Sequence, residues 1–355
     1  MQKNKLNIIY HIPSLDTIYA GRTIYNGYKN AFEDLGHTFI PFTANDSQKE
    51  LFEKIVPDIF ITSLNAYNLK YLDLSLLKKQ KKKGMKVFIN TPFWTSPLSK
   101  MRINEAPSLS ENKEYVQLIQ SGTYGNVYFN SCEEGDLRME GFEKITGYKH
   151  HTIPLAGDKT LHHPEYSKNF LADISYIGTY LPEKRDFFKK IIFPLQKKYN
   201  IKLYGQDWTL KDRVLGFTQK VGQYYNVPYF RSFQKPKLQL EDERKIYSSS
   251  TISINVHEKY QKKFGGDCND RTFKVPLCGG FEITDDVACI RKYFREGEEI
   301  IIAKNDDDYV QKLEYYLKNP EKRREIIEAG RKRVLKEHTY HARIEDFIKL
   351  FTDML

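Results

Sequence analysis

Short apolar runs alternate with amphipathic segments over the first half of the chain. Each run is only a few residues long and mostly apolar, which is typical of buried strands. The predicted strands are 6–10, 38–42, 58–62, 86–90 and 126–130. The predicted helices between them are 22–35, 48–54, 69–83 and 110–121. This alternation predicts an α/β fold with a parallel, doubly wound sheet, in which ligands bind beyond the carboxyl ends of the strands.

The alternation is interrupted once and then begins again, which predicts two domains. The interruption is polar and rich in turn-forming residues, as interdomain linkers are. The predicted organisation is an N-terminal domain over 1–157, a linker over 158–172, a C-terminal domain over 173–338 and a final helix over 339–355. Within the second domain, 212–239 shows no clear period and is predicted to be an irregular, aromatic-rich excursion over the surface.

The composition agrees with a globular protein of two domains. The chain has 355 residues, of which 40% are hydrophobic and 29% charged, so it can bury more than one core. Its net charge of +10 favours phosphorylated partners, anionic membrane surfaces or nucleic acid, and the charge alone does not choose among these. The chain has no RRM, KH or helix-turn-helix signature, so nucleic acid is not an expected partner.

The cysteines and the apolar runs bear on location. The four cysteines are widely spaced and form no CxxC pair, which argues against zinc and fits a reducing cytosol. The first apolar run is too short for a signal peptide, and no run approaches about 18 residues, the length of a membrane span. Five lysines in 77–83 end a predicted helix, where cations complement the helix dipole. The alternative for these lysines is peripheral contact with the inner membrane surface. The expected location is therefore cytoplasmic.

The segment 269–286 carries the most informative pattern. Arg271 and Lys274 lie three residues apart and can share one face of a helix. Gly279 and Gly280 follow, before a strand-like run, and a glycine pair lets a ligand approach the backbone closely. Two cations beside free backbone amides would seat a diphosphate. The alternative is a helix end packed on a strand, with its cations facing solvent.

This segment and its surroundings resemble CgeB-like glycosyltransferases of the spore-maturation type, within the group of GT-B transferases. The resembling pieces, in order, are 173–178, Arg185, 203–208, 252–255, 271–273, 279–281, Phe294 with 297–300, 315–317, 319–321, 338–340 and Arg343. The match is good over 172–350 and covers the first half only in outline. The resemblance implies two Rossmann-like domains that face a cleft, with a final helix that returns to the first domain.

The resemblance also implies a function and a set of contacts. The enzyme would transfer a sugar from a nucleotide-sugar donor on the second domain to a glycan, lipid-linked or protein acceptor on the first. The implied reaction is retaining, with no metal, no cofactor and no assigned catalytic base. In related enzymes, a cation at the position of Arg185 binds the donor diphosphate, and the segment that contains Arg271 would form the donor cradle. Tyr204 and Gly205 would lie near the base, and Asn255 and His257 near the donor sugar.

One position departs from the family pattern. The residue after Arg-x-Phe is usually a glutamate that binds the ribose hydroxyls, whereas this chain has Lys274. An ammonium group cannot accept hydrogen bonds from a diol. Lys274 therefore suits a phosphate or an acidic sugar, or it marks a binding protein that has kept the fold and lost catalysis.

The first domain offers its own candidate contacts. Gly21 and Arg22 open the first predicted helix after the first strand, so backbone amides and the helix dipole would favour a phosphate or an acceptor there. Trp94 follows another strand and could stack on an acceptor sugar, with core packing as the alternative. The chain contains no GxGxxG or GxxxxGK[ST] pattern, which argues against dinucleotide-binding and P-loop sites.

Overall fold

A computed structural model describes residues 5–12, 14–15, 20–95, 108–233 and 237–355. The chain forms two compact units. Unit 1 comprises Met1–Pro154 and Arg343–Leu355, and unit 2 comprises Leu155–Ala342.

Unit 1 is built on a parallel sheet with the strand order β2-β1-β3-β4-β5-β6. Its strands are β1 (Asn7–His11), β2 (Thr38–Phe42), β3 (Ile59–Ser63), β4 (Lys86–Asn90), β5 (Val127–Asn130) and β6 (His150–Thr152). Its helices are α1 (Gly21–Asp34), α2 (Gln48–Lys54), α3 (Ala66–Leu69), α4 (Leu74–Lys81), α5 (Lys113–Gln120) and α6 (Phe142–Thr146). The predicted helix 69–83 is divided in two, because Asp73 accepts hydrogen bonds from the amides of Ser75 and Leu76 and thereby starts α4.

The last residues of the chain complete the core of unit 1. Phe347 is fully buried, and its ring lies 5.5 Å from that of Tyr28, 5.2 Å from that of Phe88 and 4.9 Å from that of Phe129, measured between centroids. Ile344 is buried as well. Residues 343–355 therefore belong to the hydrophobic core of the N-terminal fold, although they are far from it in sequence.

Unit 2 contains a second parallel sheet, with the order β11-β10-β9-β7-β8. Its strands are β7 (Ala172–Ile177), β8 (Ile201–Tyr204), β9 (Ser250–Asn255), β10 (Glu282–Asp285) and β11 (Ile301–Ala303). Its helices are α7 (Arg185–Phe187), which continues through a π-helical turn (Phe188–Ile192) into α8 (Phe193–Leu195), α9 (Leu210–Tyr225), α10 (Pro228–Arg231), α11 (Leu240–Ser249), α12 (Lys259–Phe264), α13 (Arg271–Leu277), α14 (Ile290–Tyr293), α15 (Asp306–Lys318) and α16 (Pro320–Glu337). The last helix, α17 (Tyr340–Thr352), begins in unit 2, and its residues from Arg343 onward belong to unit 1. The strand order reverses between β7 and β9, so the switch point of the sheet lies there. The two doubly wound parallel sheets confirm the predicted α/β class.

The segment predicted to be irregular, 212–239, is largely helical. The side chain of Thr209 accepts from the amide of Asp212 and starts α9, and Asn226 ends it with a left-handed backbone at φ 54°. The prediction was wrong because the exposed face of α9 is the apolar one, so its pattern does not look like that of an ordinary surface helix.

The predicted linker 158–172 is part of unit 2. Asp158 and His162 are buried, and the amide of His162 donates to the carbonyl of Asp158. The amides of Glu165 and Ser167 donate to the hydroxyl groups of Ser248 and Ser249 at the end of α11. These bonds fix the segment on α11, so the unit boundary lies before it.

Candidate functional site

Arg271 lies at the switch point of the unit 2 sheet. Its Nη1 donates to the carbonyl of Ile177 at 3.1 Å, and its Nη2 to that of Val256 at 3.3 Å. The guanidinium also lies over the ring of Tyr176, 5.2 Å from the centroid. Because these carbonyls belong to the ends of β7 and β9, the arginine is fixed where sheets of this kind bind their ligands.

Asn255, at the end of β9, orients this arginine. Its Oδ1 accepts from Arg271 Nε at 3.0 Å and from Asn269 Nδ2 at 2.8 Å. Its Nδ2 donates to Thr272 Oγ1 at 3.1 Å and to Glu282 Oε1 at 2.8 Å. An amide has two donors and two acceptor positions, so the capacity of Asn255 is used within the protein. Its geometry is that of a positioning residue, whereas the sequence predicted a donor contact.

Glu282 is a buried carboxyl group that the sequence analysis did not identify. Its Oε1 accepts from Asn255, while its Oε2 is buried and has no hydrogen-bond partner among the described residues. Burial raises the pKa of Glu282 to about 8, and Asn255 and Arg271 offset this only in part. Glu282 is therefore protonated at neutral pH and holds a proton next to the Arg271 network.

His257 forms a buried pair with Asp285, at the ends of β9 and β10. Its Nδ1 lies 2.6 Å from Asp285 Oδ1, and its backbone amide also donates to that carboxylate. Burial lowers the pKa of His257, and the carboxylate opposes this effect only in part. The ring Nε2 lies 3.5 Å from Thr272 Oγ1, at the start of α13. Through this contact the Asp285 side chain joins β10 to the site.

Lys274 is buried between two carboxylates. Its Nζ lies 2.7 Å from Glu243 Oε2 on α11 and 3.0 Å from Asp270 Oδ2 at the start of α13. Burial alone would lower the pKa of Lys274, but the two carboxylates raise it, so the ammonium is retained. The structure therefore gives Lys274 two protein partners, whereas the sequence predicted that it would face the donor.

The same cluster holds the start of the 158–172 segment. His162 accepts the amide of Asp158 on Nδ1, and its Nε2 lies 3.6 Å from Glu243 Oε2. Burial raises the pKa of Glu243, but Lys274 and His162 together hold it well below its usual range. Glu243 therefore connects α11, α13 and the 158–172 segment through one buried negative charge.

The glycine pair is the end of α13. The amide of Gly280 donates to the carbonyl of Val275 and that of Gly279 to Pro276, the pattern of a Schellman motif with Gly279 left-handed at φ 70°. The prediction of free amides for a phosphate at Gly279 and Gly280 was wrong, since both are bonded within the motif. A Cβ atom on Gly280 would lie 2.8 Å from the carbonyl oxygen of Tyr247, so glycine is required there by packing.

Arg185, Tyr204 and Gly205 lie on segments at the carboxyl ends of β7 and β8. The Arg185 guanidinium lies 5.3 Å from the centroid of the Tyr180 ring. Gly205 has φ 115°, and a Cβ atom there would be 2.4 Å from the carbonyl oxygen of Gly178, so this glycine lets the two strand ends approach. Tyr204 is half-buried, with its ring 6.2 Å from that of Phe170.

Buried polar atoms without partners collect next to these residues. Among the described residues, Arg185 Nε, Asp207 Oδ1, Arg213 Nε and both amide atoms of Gln219 are buried and have no hydrogen-bond partner. Burial raises the pKa of Asp207, while Lys220, Arg213 and Arg185 oppose the shift. Such groups mark positions where a ligand or water completes the hydrogen bonding. They add to the switch-point site a polar region that the sequence analysis missed.

Unit 1 presents a switch point of its own, between β1 and β3. Helix α1 begins at the exposed Gly21, and no side-chain cap is found there among the described residues. Arg22 is half-buried on its first turn. The predicted loop between β1 and α1 includes residues 13 and 16–19, which lie outside the described residues.

His11 ends β1 at that switch point. Its Nδ1 lies 2.9 Å from Thr62 Oγ1 on β3, and its buried Nε2 has no hydrogen-bond partner among the described residues. Burial lowers the pKa of His11 to about 3, so the ring is neutral.

Trp94 is buried in the core against Phe142, at 5.6 Å between ring centroids. Its predicted stacking on an acceptor is wrong, because its ring faces are not accessible.

The described residues offer neither a metal site nor a membrane-spanning helix. No group of three or more histidine, cysteine, aspartate or glutamate side chains is arranged to hold a metal ion. None of the helices in the described ranges combines the length and apolar character needed to cross a membrane.

Residues 184–349 match the family model described as "Glycosyl transferase-like". This range contains Arg185, Arg271 and the whole α13 segment. No curated protein matches the chain. Solved structures give matches over the whole length, at low sequence identity.

Three of these structures illustrate the likeness. A sucrose-phosphate synthase from Thermosynechococcus elongatus has TM-score 0.61 and 13% identity, with 99% of each chain covered. Anabaena Alr3699/HepE in complex with UDP and glucose has TM-score 0.59 and 9% identity, covering 98% of this chain and 100% of that one. An alpha-glucosyltransferase in complex with UDP and a 13-mer DNA has TM-score 0.66 and 12% identity, covering 99% and 100%. The chain has the GT-B fold, as predicted, and the family match with these neighbours supports a glycosyltransferase.

Proposed function

We propose that the protein transfers a sugar from a nucleotide-sugar donor, bound by unit 2, to a hydroxyl group of a glycan, lipid-linked or protein acceptor, bound by unit 1. The observation that carries this proposal is Arg271, which is fixed at the switch point within the range matched by the family model. Similar structures are complexes with UDP and glucose and with UDP-glucose, which supports a nucleotide-sugar donor.

In the proposed reaction, the bond between the sugar C1 and the diphosphate oxygen breaks, and the acceptor oxygen bonds to C1. The acceptor proton passes to the departing diphosphate, which leaves with the electron pair of the broken bond. Arg271 stabilises the charge that develops on the diphosphate, and Arg185 is the second candidate cation. Because these guanidinium groups carry fixed charge, we propose a metal-independent reaction, in which the protein mainly positions the reactants. We propose retention on the basis of the resemblance to GT-B transferases alone.

The polar region next to β7 and β8 suits the nucleoside part of the donor. Arg213 Nε and Asp207 Oδ1 are buried and have no hydrogen-bond partner in the described part of the chain, so both could bond to a base or to ribose hydroxyls. This assignment gives the ribose a carboxylate contact other than the glutamate that Lys274 replaces. We also propose that the protein is of the CgeB-like subtype, with an altered donor pocket. The order of the resembling pieces along the chain supports this subtype.

The four cysteines are free and buried, which supports our proposal of a cytoplasmic location.

Nucleotide binding tests the donor site directly. Thermal-shift and calorimetric titrations with UDP, GDP, CMP and TDP should show that one nucleotide binds preferentially. Arg271→Gln should weaken the binding of that nucleotide roughly tenfold to a hundredfold, since a hydrogen bond to a charged group contributes about 1.5–3 kcal/mol. Arg291→Gln is the matched control, because Arg291 is an exposed arginine of the same unit that pairs with Asp286 and Glu296.

Two outcomes would contradict this placement. One is equal nucleotide affinity of Arg271→Gln and the wild type, with both folded by circular dichroism. The other is the absence of binding by all four nucleotides, together with no transfer from any sugar donor.

A catalytically degenerate binding protein is the second candidate, and the replacement of the expected glutamate by Lys274 favours it. Lys274→Glu alone would place three carboxylates together, so the informative variant is Lys274→Glu with Glu243→Lys, which keeps an ion pair in the cluster. If this double variant gains nucleotide binding or turnover that the wild type lacks, the natural protein is degenerate. If the wild type already turns over a donor, the hypothesis of a catalytically degenerate binding protein is excluded.

A further inference from the structure

Helix α9 has its apolar face on the outside. Its buried positions are polar or small: Asp212, Gly216, Gln219 and Gly222. Its most exposed positions include Leu210, which is 69% exposed, and Phe217, which is 64% exposed, with Val214, Tyr224 and Tyr225 also exposed. A helix on the surface of a globular protein normally shows the opposite arrangement. The reversed pattern means that the apolar face of α9 serves something other than the core of this chain.

Helix α10 extends the same surface. Tyr229 is 70% exposed, and Phe230 and Phe233 are exposed beside it. The ring centroids of Tyr229 and Phe233 are 4.8 Å apart, and those of Phe230 and Phe233 are 5.7 Å apart. Helices α9 and α10 pack against each other. We call residues 209–233 the aromatic hairpin. It presents a continuous set of exposed aromatic and aliphatic side chains, larger than the scattered single residues of an ordinary surface.

The exposed charged side chains that the structure describes in the aromatic hairpin are positive. Its sequence contains four lysine or arginine residues and one acidic residue, Asp212. Asp212 is buried, and its carboxylate is 2.8 Å from Lys237 Nζ. Lys211 and Lys220 are exposed next to the apolar stripe. An exposed apolar face bordered by cations is complementary to a surface that is apolar inside and anionic at its edge.

We propose that the aromatic hairpin docks the protein on an anionic lipid bilayer, with Leu210, Val214 and Phe217 in the acyl boundary and the lysines at the headgroups. Aromatic side chains with a polar end, such as Tyr225 and Tyr229, are favoured at this depth. Amphipathic helices that lie in the membrane plane have this composition. With its 16 residues, α9 has a length of about 24 Å, which is enough to lie along the interface.

Other partners fit the hairpin less well. A second copy of the chain would bring two surfaces of the same positive sign together, and like charges oppose that contact. Single-stranded nucleic acid binds aromatic and cationic side chains by stacking, but it makes little use of aliphatic residues such as Leu210 and Val214. A bilayer uses the aliphatic, aromatic and cationic side chains together.

Sedimentation of the full-length protein with lipid vesicles tests the proposal. One set of vesicles is phosphatidylcholine alone, and the other contains about one third phosphatidylglycerol, a composition that attracts basic segments. We expect the protein to bind the anionic set, and Phe217→Ser with Tyr229→Ser to reduce the partition coefficient at least tenfold. Tyr166→Ser with Tyr315→Ser is the matched control, because it removes two exposed rings elsewhere in unit 2 and should leave binding unchanged.

A second variant separates the hairpin from the lysine run of unit 1. Lys78, Lys79, Lys82 and Lys83 are exposed near the end of α4. Their replacement by glutamine should weaken binding less than the hairpin variant does. Tyr229→Trp should give an emission shifted to the blue, and quenched by brominated lipid, on anionic vesicles only.

Four results would overturn the proposal. Three concern the vesicles: no binding of the wild type to the anionic set, equal binding of the hairpin variant and the wild type, or loss of binding in the lysine variant alone. The fourth is that the wild type self-associates or binds oligonucleotides, and that the hairpin variant abolishes this in place of vesicle binding. Donor binding by unit 2 is measured separately and without lipid. Failure of the docking surface is therefore distinguishable from failure of the proposed function.

Discussion

Lys274→Met should destabilise unit 2 strongly. The substitution keeps the length of the side chain and removes the positive charge that lies 2.7 Å from Glu243 and 3.0 Å from Asp270. All three side chains are buried, so water cannot replace the lost partner. Removing one member of a buried ion pair typically costs about 3–5 kcal/mol, because the remaining charge stays desolvated. We expect a loss in this range near neutral pH.

The pH dependence of the loss follows from the pKa shifts. In the wild type the pKa of Lys274 is raised and the pKa values of Glu243 and Asp270 are lowered. The carboxylates therefore contribute stability above their unfolded pKa values, about 4, and lose it as the pH falls through the lower folded values. The lysine contributes below about pH 10. In Lys274→Met both carboxylates are harder to ionise, so the deficit should be greatest near pH 7 and should shrink below about pH 4.

The two tryptophans allow the measurement to be made on one unit at a time. Trp94 lies in the core of unit 1, and Trp208 stacks on Tyr180 in unit 2 at 4.6 Å between ring centroids. In a Trp94→Phe background, the fluorescence emission of Trp208 reports the unfolding of unit 2 in urea. The free energy of unfolding is then compared between Lys274→Met and its parent at several pH values.

Two controls make the result interpretable. Lys322→Met removes a lysine from an exposed pair with Glu325 and should change the free energy of unfolding by less than about 1 kcal/mol. Adding Glu243→Gln to Lys274→Met should recover part of the lost stability, because one uncompensated buried charge disappears. A loss below about 1 kcal/mol at pH 7, or a loss that does not change with pH, would refute the buried-cluster reasoning.

Three further substitutions have defined outcomes. The stability of Glu282→Gln relative to the wild type should increase as the pH rises from about 4 to about 8, by an amount on the order of 4 kcal/mol. The reason is that the raised pKa of Glu282 makes its ionisation unfavourable in the folded wild type. Urea unfolding of both proteins across this pH range measures the difference. Gly205→Ala should lower the melting temperature of unit 2, because its Cβ would lie 2.4 Å from the carbonyl oxygen of Gly178; differential scanning calorimetry tests this, and an unchanged melting temperature would contradict it. Phe347→Ala should destabilise unit 1 by about 3–5 kcal/mol, measured from Trp94 emission, and an effect confined to unit 2 would be inconsistent with the core packing.

Much of the fold could be predicted from local patterns. Strands β2 and β4 occur at the predicted residues. For β4 the reason is that a buried strand of a parallel sheet is apolar on both faces and stands out in the sequence. Helix α9 could not be predicted in this way. Its apolar residues face outward and its buried positions include Gly216 and Gly222, so the usual relation between apolar period and core is reversed.

The site was less predictable, because its contacts join distant parts of the chain. Arg271 was identified from its motif, but the bonds that fix it come from Ile177 and Val256, at the ends of two different strands. Lys274 has two carboxylate partners. Asp270 lies four residues before it, a spacing that permits an ion pair, but Glu243 is on another helix and the spacing around Lys274 gave no sign of it. A glycine pair such as Gly279 and Gly280 is the same in sequence whether it binds phosphate or ends a helix. The hydrogen bonds of the two amides within the protein show that this pair ends a helix.

The burial of Phe347 in unit 1 has a consequence for biosynthesis. A ribosome makes residues 1–154 first, then all of unit 2, and only afterwards the segment 343–355 that fills the hydrophobic space between Tyr28, Phe88 and Phe129. Domains commonly fold in the order of their synthesis, and exposed apolar surface on incomplete folds promotes aggregation. The nascent N-terminal fold therefore carries an unfilled core while unit 2 is being translated. We expect chaperone demand, and sensitivity to premature termination, to be concentrated in the half of the protein that is made first.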